Sequence, residues 1–264
     1  MIKSVFNIVI LIFAISTSNA ELLFKPLTAN TFEPRVGALF QFGEKKLRLD
    51  IGTSLDLMNV YQQYKDKINI GTDFFTFTRL RSEGNFKFPV ETSDYFFGIN
   101  GSYKTEISKL PFSVRFRLAH ISSHLVDGLA IDSIFKRRTF VYSREFVDLL
   151  AAVNVSDFRL YVGSQYVFST KPKTPNPINP QLGFDYNEPI NKWLRIIAGY
   201  DFKLVGINGV YSGVNTAQLG MMLQTEENIG ILINLNAFQG KSIHGMFFME
   251  EDSYIGLGFQ LYFY

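Results

Sequence analysis

Alternation of apolar and polar or small residues, repeated over about twelve short aromatic-rich segments, predicts an all-β chain: a transmembrane antiparallel β-barrel of about 12 strands over residues 21–264. Three observations carry this expectation. Hydrophobic residues make up 47% of the chain and aromatic residues 16%. Yet beyond residue 20 no apolar run reaches the roughly 20 residues that a spanning helix requires, so the apolar content is spread over many short segments. At the C-terminus, Ile255, Leu257, Phe259, Leu261 and Phe263 share one phase, Gly256, Gly258 and Gln260 the other, and the chain ends on Tyr264. The first twenty residues combine Lys3, an apolar run over 5–15 and the small residues Ser18, Asn19 and Ala20, the pattern of a secretory signal peptide cleaved after Ala20.

Taken in order, the expected strands cover residues 35–42, 47–56, 73–80, 94–103, 111–124, 139–153, 158–168, 182–187 (a short one), 193–204, 215–223, 229–238 and 254 onward. Gly, Pro, Asn and Asp punctuate them. An even strand number suits a single-chain bacterial barrel, which closes on itself to satisfy its backbone in lipid. The competing architecture is a secreted β-sandwich, in which the last segment would be an ordinary amphipathic edge strand. The signal peptide and the terminal aromatic strand favour the barrel and place it in the bacterial outer membrane. With both termini on the periplasmic side, loops 125–138 and 170–180 fall outside the cell; the second holds Pro172, Pro175, Pro177 and Pro180. The turns at 154–157 and 225–228 fall in the periplasm. The stretch 58–70 is long for a periplasmic turn and is read as a short helix, a lumen plug or a sign that the strand count is off by two. Arg115, Arg117, Arg144 and Asp148 lie on the inward phase, where a salt-bridged lumen filling is expected.

Charge and composition exclude several classes. The net charge of +2, with no basic run longer than Lys136-Arg137-Arg138, gives no case for nucleic acid as a partner. The absence of cysteine excludes a disulfide framework and lipid attachment after the signal. No phosphate-cradling glycine loop or metal-type cluster is present, so no cofactor is called for, and a calcium requirement is not derivable. The partners expected are membrane lipid and the outer-membrane assembly machinery, reached through the C-terminal strand; the oligomeric state is not specified.

The chemistry concentrates on one hairpin. Phe112, Val114, Phe116 and Leu118 form an outward stripe that runs on into His120, Ser122 and His124, and the next segment answers with Ser143, Glu145, Val147, Leu149, Ala151 and Val153. Polar groups on an oily wall are expensive and point to a function. If Leu118 pairs with Val147, every outward residue is matched and His120 faces Glu145. A slip of two would instead set Glu145 beside Leu118 or Ser122. Ser122 is then the candidate nucleophile, His120 the base that takes its proton, and Glu145 the group that orients His120. Asp148 points to the other face, and Asp127 and Asp132 lie in the loop. His120 and His124 are four residues apart on one strand, about 13 Å, too far to share a metal ion.

A His-x-Ser pair on the outer wall near the extracellular rim resembles the dyad of the outer-membrane phospholipase A and lipid A 3-O-deacylase families. That resemblance implies Ser attack on a lipid acyl ester, His as base and an Asn or Glu on the following strand, here Ser122, His120 and Glu145. The chain departs from the phospholipase after the serine, where Ser123-His124-Leu125 leaves the oxyanion hole unassigned. A wider resemblance is to a bacterial outer-membrane family with an opening like Leu23-Phe24-Lys25-Pro26-Leu27, a His-x-Ser-Ser-His-Leu-Gly-Asp-Glu stretch and a Tyr-Ser-Arg-Glu segment. Here these are His120 to Asp127, with Val126 and Gly128 replacing Gly and Glu, and Tyr142 to Glu145. It covers most of the mature chain and implies no activity. The function expected is an outer-membrane serine esterase; the alternative is a non-catalytic structural or narrow-channel barrel.

Overall fold

The computed structural model describes residues 22–131, 134–224 and 229–263. The strands are β1 (Val36–Gln41), β2 (Lys46–Gln63), β3 (Asp66–Arg81), β4 (Val90–Ile107), β5 (Leu110–Leu125), a small loop hairpin β6 (Ala130–Ile131) and β7 (Ile134–Phe135), then β8 (Tyr142–Val155), β9 (Phe158–Lys171), β10 (Ile178–Pro189), β11 (Leu194–Ile207), β12 (Val210–Gln224), β13 (Ile229–Lys241) and β14 (Glu251–Phe263). All but β6 and β7 join in a closed antiparallel barrel of twelve strands, sealed where β1 pairs with β14 on one side and β2 on the other. No helix among the described residues is long and apolar enough to cross a membrane. The chain crosses with strands, whose outward phase exposes Phe74, Ile99, Phe116, Leu149, Val162, Leu219, Leu235 and Leu257 all round the wall. A soluble protein does not carry a continuous apolar girdle of this kind; the barrel belongs in the bacterial outer membrane.

The twelve segments expected from alternation are the twelve strands found, most of them longer than the alternation alone marks. Three readings need correction. Residues 58–70 are neither helix nor plug: β2 and β3 run on as a hairpin to a tight turn at Tyr64 and Lys65, with bulges between Asp56 and Met58 and between Asn59 and Tyr61. Residues 57–63 are exposed on both faces, so the hairpin end has no inside or outside to enforce a period of two. The strand expected at 182–187 begins earlier, at Ile178, and includes Pro180. The segment 139–153 gains its strand structure only from Tyr142. The signal peptide, Asp132 and the 225–228 turn lie outside the described residues.

A plug does exist, and it is the segment leading into β1. Leu23, Phe24, Leu27, Ala29, Asn30 and Glu33 are buried in the lumen. Arg115 donates to both Glu33 carboxylate oxygens at 2.9 and 2.6 Å. Arg159 donates to the Lys25 and Pro26 carbonyls, Asp185 accepts from the Thr28 amide and Asp56 from the Leu23 amide. Phe24 lies under the guanidinium groups of Arg115 and Arg159. Arg117 donates through two nitrogens to Asp148 Oδ2 at 2.9 and 2.6 Å, so Arg115, Arg117 and Asp148 make the expected salt-bridged filling, while Arg144 is buried with no ion pair among the described residues.

The β13–β14 connection folds back over the opposite end. His244, Met246, Phe247 and Phe248 are buried, packed on a cluster of Phe75, Phe77, Phe96, Tyr142 and Phe146. Gly245 is required there, since a Cβ would stand 2.3 Å from the Tyr142 ring. Barrel interiors of this size are filled by side chains; here two backbone segments help to fill it.

Candidate functional site

The site is built by the register of β4, β5, β8 and β9 near the rim that carries the long β5–β8 connection. Leu118 pairs with Val147, Phe116 with Leu149, Val114 with Ala151, Phe112 with Val153, and His120 with Glu145. Because directly opposed residues share a face, the imidazole and the carboxylate meet on the lipid side of the wall. His120 Nδ1 lies 2.9 Å from Glu145 Oε1, with 41% and 29% of the two side chains exposed. The carboxylate can only accept, so the proton sits on Nδ1 and the lone pair on Nε2.

Ser122 lies two residues further along the same outward face, paired with Ser143 on β8 and Tyr95 on β4. Of the three expected residues the structure therefore joins two directly. No hydrogen bond links Ser122 Oγ to His120 in this state; the serine is the next outward residue, about 7 Å along the strand, within range of the free Nε2 after a rotamer change. Contacts of this kind are commonly long in a site without substrate. Ser123 points inward, as its phase requires, is buried, and accepts a hydrogen bond from the Met246 amide at 3.1 Å. Asp148 is inside the barrel on Arg117, and Asp127 sits in an exposed turn at the end of β5.

Two hydroxyls that the sequence did not single out for this role flank the carboxylate. Ser169, paired with Glu145 across the β8–β9 seam, and Ser143, two residues before it on the same outward face, stand beside the carboxylate that meets His120. Ser143 was visible on the outward phase of β8. Ser169 was not, because the phase of β9 set by Leu160, Val162 and Tyr166 would turn it inward. A bulge after Glu145 shifts the pairing so that Ser169 stands opposite Glu145. Beyond Ser122, the ring of His124 meets Tyr95 edge-on at 5.9 Å and completes a polar, aromatic border to the site. No cluster of metal-ligating side chains occurs among the described residues.

Comparison with known proteins fits this picture at the level of fold. Outer membrane phospholipase A from Escherichia coli superposes with a TM-score of 0.58 at 11% identity, over 91% of this chain and 95% of that one. The calcium-bound dimer of the Salmonella typhi outer membrane phospholipase gives 0.58 at 12% identity, over 92% and 96%. LpxR from Salmonella typhimurium covers 83% of this chain and 88% of its own at 10% identity, with a TM-score of 0.40, too low to support an argument. The likeness to the two phospholipase structures shows a shared barrel fold and, at identities this small, nothing about chemistry. No curated protein matches the chain. One family profile matches residues 42–264, from the end of β1 to the C-terminus, and the chain accordingly belongs to that family, DUF1207, described as a protein of unknown function.

Proposed function

We propose that this chain is an outer-membrane serine esterase that hydrolyses an acyl ester of phospholipid or lipid A at the exterior of the barrel. The observation that carries the reading is the His120–Glu145 pair, held at 2.9 Å on the lipid-facing wall two residues from Ser122. Ser122 Oγ attacks the ester carbonyl carbon while His120 Nε2 takes its proton. The resulting imidazolium is balanced by Glu145 on the other ring nitrogen. Collapse of the tetrahedral intermediate expels the lipid alcohol, which receives that proton from His120, and the acyl group remains on Ser122. Water, deprotonated by the same imidazole, then releases the fatty acid and restores the hydroxyl. Location near the rim suits an ester bond, which lies at the border between headgroup and acyl chain. The likeness in fold to a phospholipase adds a wall of the right kind and assigns no residue.

The alternative of a narrow channel is disfavoured by a lumen occupied by residues 22–35 and capped by the β13–β14 connection. The deciding experiment incubates the purified, detergent-folded protein with phospholipid and with lipid A and measures released fatty acid. Release that disappears in Ser122→Ala supports the reading; no release from either lipid, with the barrel folded, sinks it.

A further inference from the structure

Four barrel strands have a cation as their last residue at the rim that carries the β5–β8 connection: Lys46 on β2, Arg81 on β3, Lys171 on β9 and Lys241 on β13. Three of them have a carboxylate. Lys46 pairs with Glu44, Arg81 with Glu83 and Glu91, and Lys241 with Glu251. Lys171 differs from these. It is exposed, and its ammonium has no carboxylate or hydrogen-bond partner among the described residues.

The register gives that free charge a neighbour. Ser122 pairs with Ser143 and Ser143 with Lys171, so the three stand side by side on one row across β5, β8 and β9, and Tyr95 continues the row on β4. Opposed residues share a face, which puts Lys171 on the lipid side of the wall together with Ser122. Their backbones are two strand spacings apart, about 10 Å. Ser143 between them is small, and the four-carbon stem of a lysine can lie over it. Glu145, on the next outward row, is engaged with His120. Tyr95 heads an outward stripe that continues into the exposed Phe97 and Ile99, so the row lies at the border where a tyrosine separates acyl chains from headgroups. At that depth the abundant anion is the phosphate of a lipid.

We propose that Lys171 binds the phosphate of the substrate and so selects it: a lipid whose acyl ester and phosphate sit on neighbouring carbons, the ester at Ser122 and the phosphate at the ammonium. The choice of ester rests on the esterase reading, whereas the phosphate contact needs no turnover. Glycerophospholipid and lipid A both offer this arrangement. A diacylglycerol does not.

The test uses detergent-folded protein in neutral micelles and compares phosphatidylethanolamine and lipid A with a diacylglycerol of matched acyl chains. Phosphatidylethanolamine has no net charge, so its advantage over diacylglycerol reads the phosphate and not bulk attraction. Lys171→Gln should raise KM for the phosphate-bearing lipid about tenfold, with kcat little changed and diacylglycerol hydrolysis untouched. Lys171→Arg should restore the wild-type KM. An effect confined to phosphatidylethanolamine, or to lipid A, names the source of the phosphate. An equal change on diacylglycerol overturns the assignment, and so does an equal change in Lys173→Gln, whose side chain is exposed in the adjoining loop. If the folded wild type releases fatty acid from no lipid, the esterase reading fails by itself. Calorimetric binding of an uncleavable ether-linked phosphatidylethanolamine then decides the phosphate contact: binding about tenfold weaker in Lys171→Gln upholds it, and equal binding rejects it.

Discussion

Two imidazole–carboxylate pairs occupy opposite sides of one wall. His120 meets Glu145 at 2.9 Å on the outside, 41% and 29% exposed, and His244 meets Asp94 at 2.7 Å inside, 3% and 0% exposed. The bond is nearly the same and the surroundings reverse its meaning. Asp94 also takes the Gly245 amide at 2.8 Å, and Phe77 packs on the His244 ring, so the inner pair pins a loop into an aromatic cluster. The outer pair pins no loop. It lies partly exposed on the lipid face, two residues along the strand from Ser122. Burial makes such a pair a fastener, while partial exposure next to a nucleophile leaves it free to move protons.

Substitutions can break or sharpen this contrast. The largest expected effect is on turnover: Ser122→Ala should lower lipid hydrolysis by at least about 10³-fold with the barrel intact, since a small rim side chain contributes little stability. Fatty-acid release paired with heat-modifiable migration measures both, and unchanged release would remove Ser122 from the site. Next comes the inner pair. Asp94→Ala should cost about 1–3 kcal/mol by leaving the buried His244 ring and the Gly245 amide without their acceptor, read as a lower denaturation midpoint and faster proteolysis of the 242–250 loop, with hydrolysis per folded molecule preserved. Loss of hydrolysis without loss of stability would assign the catalytic histidine to the inside.

Smaller effects test the supports. Glu145→Gln should lower the rate by roughly 10- to 100-fold with little change in KM, because an amide can still orient the imidazole but cannot balance its charge. Glu145→Ala should be worse. If Glu145→Ala is silent and Asp127→Ala abolishes release, the loop supplies the carboxylate instead. The mildest is Ser123→Ala, which removes the acceptor of the Met246 amide and should cost about 1 kcal/mol without touching the rate. An activity loss equal to that of Ser122→Ala would mean that the two serines had been given the wrong faces.

How much of this was legible follows from which signals are local. Alternation marks a strand wherever one face sees lipid and the other the lumen, and it failed where neither applies, at the end of the β2–β3 hairpin. The His120–Glu145 register was legible because six outward residues of β5 had to meet outward residues of β8, and a one-residue slip would have put Arg117 in lipid. Ser169 escaped because a bulge erases phase. The plug escaped for a different reason: residues 22–35 have no period, and their partners Asp56, Arg115, Arg159, Asp185 and Lys203 are scattered over the chain. His244 and Asp94 lie 150 residues apart, with nothing in either neighbourhood to announce the other.

The short strand β1 imposes an order on assembly. It is the sealing strand, joining Val36 to Leu261 and Gly37 to Asp50, and the plug is the stretch of chain immediately before it. Closing the β1–β14 seam therefore fixes the start of the same stretch of chain that carries the plug to its arginines. Contacts spanning more than two hundred residues form late and slowly. Until that moment the nascent barrel is an open, curled sheet with two bare edges, and the plug's carboxylate and carbonyls are what draw the first strand to its place. Sealing and filling are therefore tied together through one short stretch of chain.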